Sequence, residues 1–214
     1  HVTARQSASG ALNATRDCPG VVNDGITPVA AFLQRCLDRI CASCGEVWLP
    51  PGSYLLESTV TFPTAPPEIG IAIRGAGRAT KLLWMAEGDM FVWHGPANGV
   101  TISSLSVLSG SRPVGGSSAL LSNRTAFRFM QTFTQSLVEA VFISATRVGL
   151  LEPQRVWLSE VDEAPPISGF DLSPLTDSVT VRDCQLWQIS GVGVKIGRGS
   201  EVRIAGGRNI GTYS

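Results

Sequence analysis

The chain has 214 residues, long enough to bury one sizeable core, and no abrupt shift in composition divides it into two globular units. Its formal net charge is zero and only 16% of its residues are charged, which leaves no basic field for phosphate backbones and excludes nucleic acid as a partner. Apolar runs such as Val47 to Leu49 and Ala140 to Ile143 fall far short of the roughly 20 residues that cross a bilayer, so no membrane span is expected.

Residues 1–22 read as a lead or linker ahead of a single domain over 23–214. The opening at His1 is polar and lacks both Met and an apolar signal core, the texture of a processed or truncated product. Asn13-Ala14-Thr15, like Asn123-Arg124-Thr125 later, matches the glycosylation triplet at a frequency near chance for this composition.

The next segment carries the clearest periodicity in the chain. Val29, Phe32, Leu33, Cys36, Leu37, Ile40, Cys41 and Cys44 form an unbroken helical stripe, so an amphipathic helix is expected over about 28–44. Thr27 supplies a capping hydroxyl, Pro28 suits the first helical position, and Gly45 can end the helix. Of the five cysteines, Cys18, Cys36, Cys41, Cys44 and Cys184, the three in the stripe fall on its buried side. No fourth ligand follows at zinc spacing, so packing is favoured over metal or disulfide chemistry, and Cys36, Cys41 and Cys44 are expected to be reduced and buried. No metal site and no cofactor are expected.

After the helix, Gly45 to Leu56 reads as a strand, a turn pinned by Pro50 and Pro51, and a second strand. Beyond residue 57 come short β segments separated by Gly, Ser, Asn and Pro: 59–62, 71–74, 81–84, 90–93, 100–102, 105–108, 126–130, 137–143, 155–158, 179–182, 185–187, 192–196 and 202–204. Pattern alone fits a sandwich, a barrel or a solenoid. Recurrence decides: Asn98 to Ile102 and Ser178 to Arg182 are each followed, after a polar pair, by another strand, and Val179-Thr180-Val181 returns as Val202-Arg203-Ile204. A strand-only unit that recurs points to stacked repeats, with Val179 and Val181 inside and Thr180 and Arg182 outside. The expected fold is all-β, a right-handed parallel β-helix entered through one capping helix, with rungs over about 46–214.

Four stretches, taken in order, carry a family resemblance. Asn23-Asp24-Gly25-Ile26-Thr27, the helix, Gly45 to Tyr54, and Ile71-Ala72-Ile73-Arg74-Gly75-Ala76-Gly77-Arg78 resemble the opening of pectate-lyase superfamily β-helix proteins. That opening is a D-G-x-T element, an AIQ-like helix, a GGxVxLPPGxY turn and an IxIxGxGxxxTxL rung, and the likeness covers residues 23 to 83. It implies a helix that plugs the open end of the core and shields the first strand edges. The group includes polysaccharide lyases and hydrolases together with phage tailspikes and tail fibres, which are trimers as a rule. Gly75-Ala76-Gly77 reads accordingly as a rung corner and not a phosphate loop, because no helix follows it.

Fold does not settle function, so the site has to come from residues. Glycoside hydrolysis needs two facing carboxylates. The polygalacturonase-like set of N-T-D, D-D, G-H-G and R-I-K is missing, since His94-Gly95 lacks the leading glycine and Val194-Lys195-Ile196 lacks the arginine. The catalytic candidates left are Glu160 and Asp162, which point to one side if their segment is extended, and Asp183. Ala164-Pro165-Pro166 makes a solvated loop the bland reading of the first two. Trp157 and Trp187 are the candidate sugar-binding aromatics, Trp48 is assigned to the core, and His94 to a turn. The function read from this pattern is a structural, receptor-binding β-helix of tail-fibre or tailspike type: a homotrimer, extracellular or in the virion, contacting polysaccharide on a host cell surface. The alternative is a secreted polysaccharide lyase or glycoside hydrolase of the same class.

Overall fold

The computed structural model describes residues 11–41, 45–62, 70–85, 88–109, 124–130, 133–144, 147–152, 155–159, 167–187 and 194–210. In chain order the elements are β1 (Leu12–Asn13), α1 (Ala14–Asp17), β2 (Asp24–Pro28), α2 (Ala30–Cys41), β3 (Gly45–Trp48), β4 (Gly52–Leu56), β5 (Val60–Phe62) and β6 (Ile71–Arg74). A single 3-10 turn over Gly77–Ala79 leads into β7 (Thr80–Trp84), β8 (Phe91–Trp93), β9 (Ala97–Asn98), β10 (Thr101–Ser109), β11 (Arg124–Phe129), β12 (Phe133–Thr134) and β13 (Leu137–Ser144). The chain continues through β14 (Arg147–Glu152), β15 (Arg155–Ser159), β16 (Ile167–Arg182), β17 (Gln185–Trp187), β18 (Val194–Ala205) and β19 (Arg208–Ile210). The fold is mostly β, and all its strands except the antiparallel hairpin β14–β15 join one 17-stranded sheet that curls around its own core.

The pairings within that sheet are parallel and fall into ladders. One runs β1–β3–β6–β10–β13–β16–β18, and a second runs β2–β4–β7–β10–β13–β17–β19. A third takes in β5, β8, β11, β16 and β18. β10, β13, β16 and β18 each serve more than one ladder because they bend at fixed places. Gly99, Gln135, Ser178 and Glu201 all have positive φ, as do Ser104, Ala140, Asp183 and Gly206. These two sets stack corner on corner. Val100 and Ser136 are 36 residues apart, Glu139 and Arg182 are 43 apart, and Ser178 and Glu201 are 23 apart, so successive layers share corners and not lengths. Val179 lies opposite Val202 in β18, which places the expected recurrence in register.

Alternation sends one set of side chains inward from each ladder. Val47, Ile73, Ile102, Val138 and Val181 line the first, Tyr54, Leu82, Val107, Ile143 and Leu186 the second, all buried. The third stacks aromatics: Phe62 on Trp93 at 3.9 Å, Trp93 on Phe129 at 4.4 Å, and Phe91 on Phe127 at 5.5 Å between centroids. Each such side chain contributes about 1.5–3 kcal/mol of transfer free energy. Thr180 and Arg182 face outward as expected, and Trp48, which the sequence assigned to the core, is only half-buried because it alternates with Val47 and Leu49.

The helix start differs from expectation. Pro28 lies in β2 opposite Leu55, and Val29 donates its N–H to the Leu55 carbonyl, so α2 opens only at Ala30. Thr27 does not cap it, because its hydroxyl donates to Asp24 instead. The Glu57 carboxylate, 3.5 Å from the Ala30 nitrogen, supplies the negative charge at the helix N-terminus. Most of the stripe is buried, with Val29, Leu33, Cys36, Leu37 and Ile40 inside, while Phe32 is only half-buried.

The cysteine expectation is corrected outright for one residue. Cys36 forms a disulfide with Cys18, the Cα atoms being 5.5 Å apart. The turn after α1 carries Cys18 over the same buried patch, a placement that helical phase alone does not encode. The side chains of Cys41 and Cys44 lie outside the described residues. Among the described residues the free thiol is that of Cys184, which is buried.

Candidate functional site

The outer face of the second ladder carries the candidate site. Ser53, Lys81, Ser106, Phe142 and Gln185 lie in register along it, and Trp187 follows two residues after Gln185 on the same face, with Leu186 turned inward between them. Over this face folds the 3-10 turn at Gly77–Ala79, which packs on β10 and touches β13. Gly75 is needed for that approach, since a Cβ there would stand 2.5 Å from the Ser104 carbonyl oxygen. The Gly75-Ala76-Gly77 stretch is thus a corner, as its sequence implied. Thr80 fixes its far side, donating its hydroxyl to the Leu49 carbonyl at 2.9 Å and accepting from the Ala76 N–H at 2.8 Å.

The turn delivers Arg78. Its guanidinium lies 4.6 Å from the centroid of the Phe142 ring and donates to the Gln185 side-chain oxygen at 2.7 Å. Phe142 in turn meets Trp187 edge to face at 6.4 Å. The result is a surface platform of a fixed cation, two aromatic rings and an amide. Trp187 is 44% exposed, and the Ser106 hydroxyl beneath is buried with no hydrogen-bond partner among the described residues. A flat aromatic face flanked by planar donors and acceptors suits ligands with apolar faces and hydroxyl edges.

Of the other catalytic and sugar-binding candidates, Asp183 alone has a described side chain. Asp183 is exposed at a positive-φ corner, its N–H bonded to the Ala205 carbonyl at 3.0 Å. The carboxylate on the neighbouring strand, Glu139, is held by Arg182 at 2.7 Å. Trp157 lies in the antiparallel hairpin opposite Gly149, and its side chain is outside the described residues. Glu160 and Asp162 also lie outside the described residues. His94 is exposed, after β8.

The remaining electrostatics are structural. A second ion pair on the outer face joins Arg74 to Glu46 at 2.9 Å, and Asp89 holds Arg128 at 3.1 Å while accepting the Thr125 N–H. Burial pushes the Cys184 thiol up to about 11, which keeps it protonated and unsuited to nucleophilic work. Among the described residues no cluster of His, Cys, Asp or Glu has the makings of a metal site. No helix there is long and apolar enough to cross a membrane. Arg78 and Phe142 were not singled out from the sequence, and the only local signal for either was the glycine-rich corner before Arg78.

No protein-family model matches the chain, and no curated protein matches it. Among solved structures it is similar to a protein of Parabacteroides merdae ATCC 43184 assigned as a glycosyl hydrolase. The identity is 11% and the TM-score 0.48, over 94% of this chain and 96% of that one. It is also similar to the Agl-KA catalytic domain, at 11% identity and a TM-score of 0.42, over 97% of this chain and 49% of that one. The chain therefore spans about half the length of the latter, and neither neighbour is named as a pectate lyase or a tailspike.

Proposed function

We propose that the chain is a right-handed parallel β-helix that binds polysaccharide on the outer face of its second ladder. The observation that carries this reading is the platform of Arg78, Phe142, Gln185 and Trp187, fixed by residues from three separate stretches of chain. Among the described residues the platform holds no carboxylate pair, which favours binding as its chemistry. A receptor-binding protein of tail-fibre or tailspike type, trimeric and displayed outside the cell or on a virion, is the setting we favour. The Cys18–Cys36 disulfide supports an oxidising compartment. The glycoside hydrolase alternative rests on Asp183, an exposed carboxylate two residues from Gln185.

Titrating neutral and acidic oligosaccharides by calorimetry, in the whole chain and in Trp187→Ala, tests the reading. Saturable binding is expected, with Trp187→Ala weakening it about tenfold, or about 1.4 kcal/mol. Equal affinity in that variant would reject the platform. New reducing ends that vanish in Asp183→Asn would install the hydrolase.

A further inference from the structure

At the opposite end of the molecule, the turn after α1 and the outer side of α2 enclose a cleft of about 480 Å³ lined by Cys18, Gly20, Phe32, Arg35, Cys36 and Arg39. That volume lies within the usual range for small-ligand sites. Its two walls are joined by the Cys18–Cys36 disulfide, so they cannot drift apart. Gly20 presses so close to the Phe32 ring that any side chain there would collide with it, leaving backbone and ring as a tight inner edge.

The charge balance of the cleft is one-sided. Arg35 lies 4.7 Å from the centroid of the Phe32 ring, and Arg39 donates one N–H to the Asp17 carbonyl at 3.0 Å. Neither guanidinium has an ion-pair partner among the described residues. Of the nearby carboxylates, Asp17 also feels the Arg39 charge, but its oxygens are taken up by other donors. Asp17 takes both forks of Arg16, at 2.8 and 2.9 Å, and the Asn13 N–H at 2.8 Å. Asp38 accepts from Gln34 at 2.9 Å. Two guanidinium groups with donors to spare, set beside an aromatic face and a disulfide, match a ligand with a planar anion at one end and a flat apolar body at the other.

We infer that this cleft binds a small carboxylate carried on a flat, ring-sized apolar body, either free or as the end group of a larger molecule. The site is separate from the Trp187 platform, so either can fail without the other. The probes are benzoate, which has both parts, benzyl alcohol, which lacks the charge, and acetate, which lacks the body. Each is titrated into the whole chain while chemical shifts are followed around Phe32 and Arg35. Benzoate is expected to bind saturably, with the other two weaker by about tenfold or more. Arg35→Gln, at an exposed position, is expected to cost benzoate a similar factor, and Arg203→Gln, exposed on β18 far from the cleft, to cost nothing. Acetate binding as tightly as benzoate would reduce the site to simple anion attraction and overturn the inference. So would unsaturable benzoate binding, or an unchanged affinity in Arg35→Gln.

Discussion

The two ends of the curled sheet are built on the same registers and meet solvent differently. At the N-terminal end every first-layer strand has its edge occupied. β1 pairs onto β3, and β2 onto β4. On β5 the Gln34 amide takes the place of a strand, its oxygen accepting the Thr61 N–H at 2.6 Å and its nitrogen donating to the Thr61 carbonyl. α2 then covers the core with Val29, Leu33, Leu37 and Ile40. At the other end Ile204 stands in the same column as Ile102, Val138 and Val181, yet it is 55% exposed. An inward direction does not bury a side chain in a stacked sheet. The next layer does, and at the N-terminal end a helix and one amide do the work of that layer.

The sharpest way to break this comparison is to remove equal side chains from both ends. Leu37→Ala is expected to cost about 2–5 kcal/mol in urea unfolding, because it opens a cavity under the cap. Ile204→Ala, already wet, is expected to stay within about 0.5 kcal/mol. Similar losses at both sites would mean that the ends are not distinct.

Reducing the Cys18–Cys36 bond, which joins residues 18 apart in sequence, is expected to cost about 3 kcal/mol. Hydrogen exchange should then quicken in β1 and α2 while β17 is unchanged. Uniform quickening would show that the cap and the later layers unfold as one unit. The smallest expected effect is a gain. Ala140 holds φ at 52°, where a side chain costs about 1–2 kcal/mol, so Ala140→Gly is expected to stabilise by about 1 kcal/mol. No change in its thermal midpoint would remove corner strain as a feature of the later layers.

Much of the capped end was legible in the sequence because its signals are local. The stripe from Val29 to Ile40, the Pro50-Pro51 turn and the Ile71-Ala72-Ile73 alternation each declare themselves within a dozen residues. The in-register return of Val179 at Val202 was legible across a longer span because the alternating triplet itself repeats. The corners were not. Their positions are filled by Gly, Gln, Ser and Glu in one stack and Ser, Ala, Asp and Gly in the other, so only backbone geometry unites them. Two short expected strands, 100–102 and 105–108, prove to be one strand folded at Ser104. The platform was half legible. Trp187 stood out by type, but its neighbours Arg78 and Gln185 meet across 107 residues, a contact that no local pattern can carry.

The stacked corners also have an architectural consequence for growth by insertion. Residues added between two corners leave both corners, and hence the strands on either side, where they were. Loop-closure cost rises only about 0.6 kcal/mol for each doubling of a loop. The layers stepping by 36, 43 and 23 residues already show that tolerance. The molecule is therefore a ready host for grafted segments, with the positions between corner stacks as the splice points and the ladders as an invariant chassis.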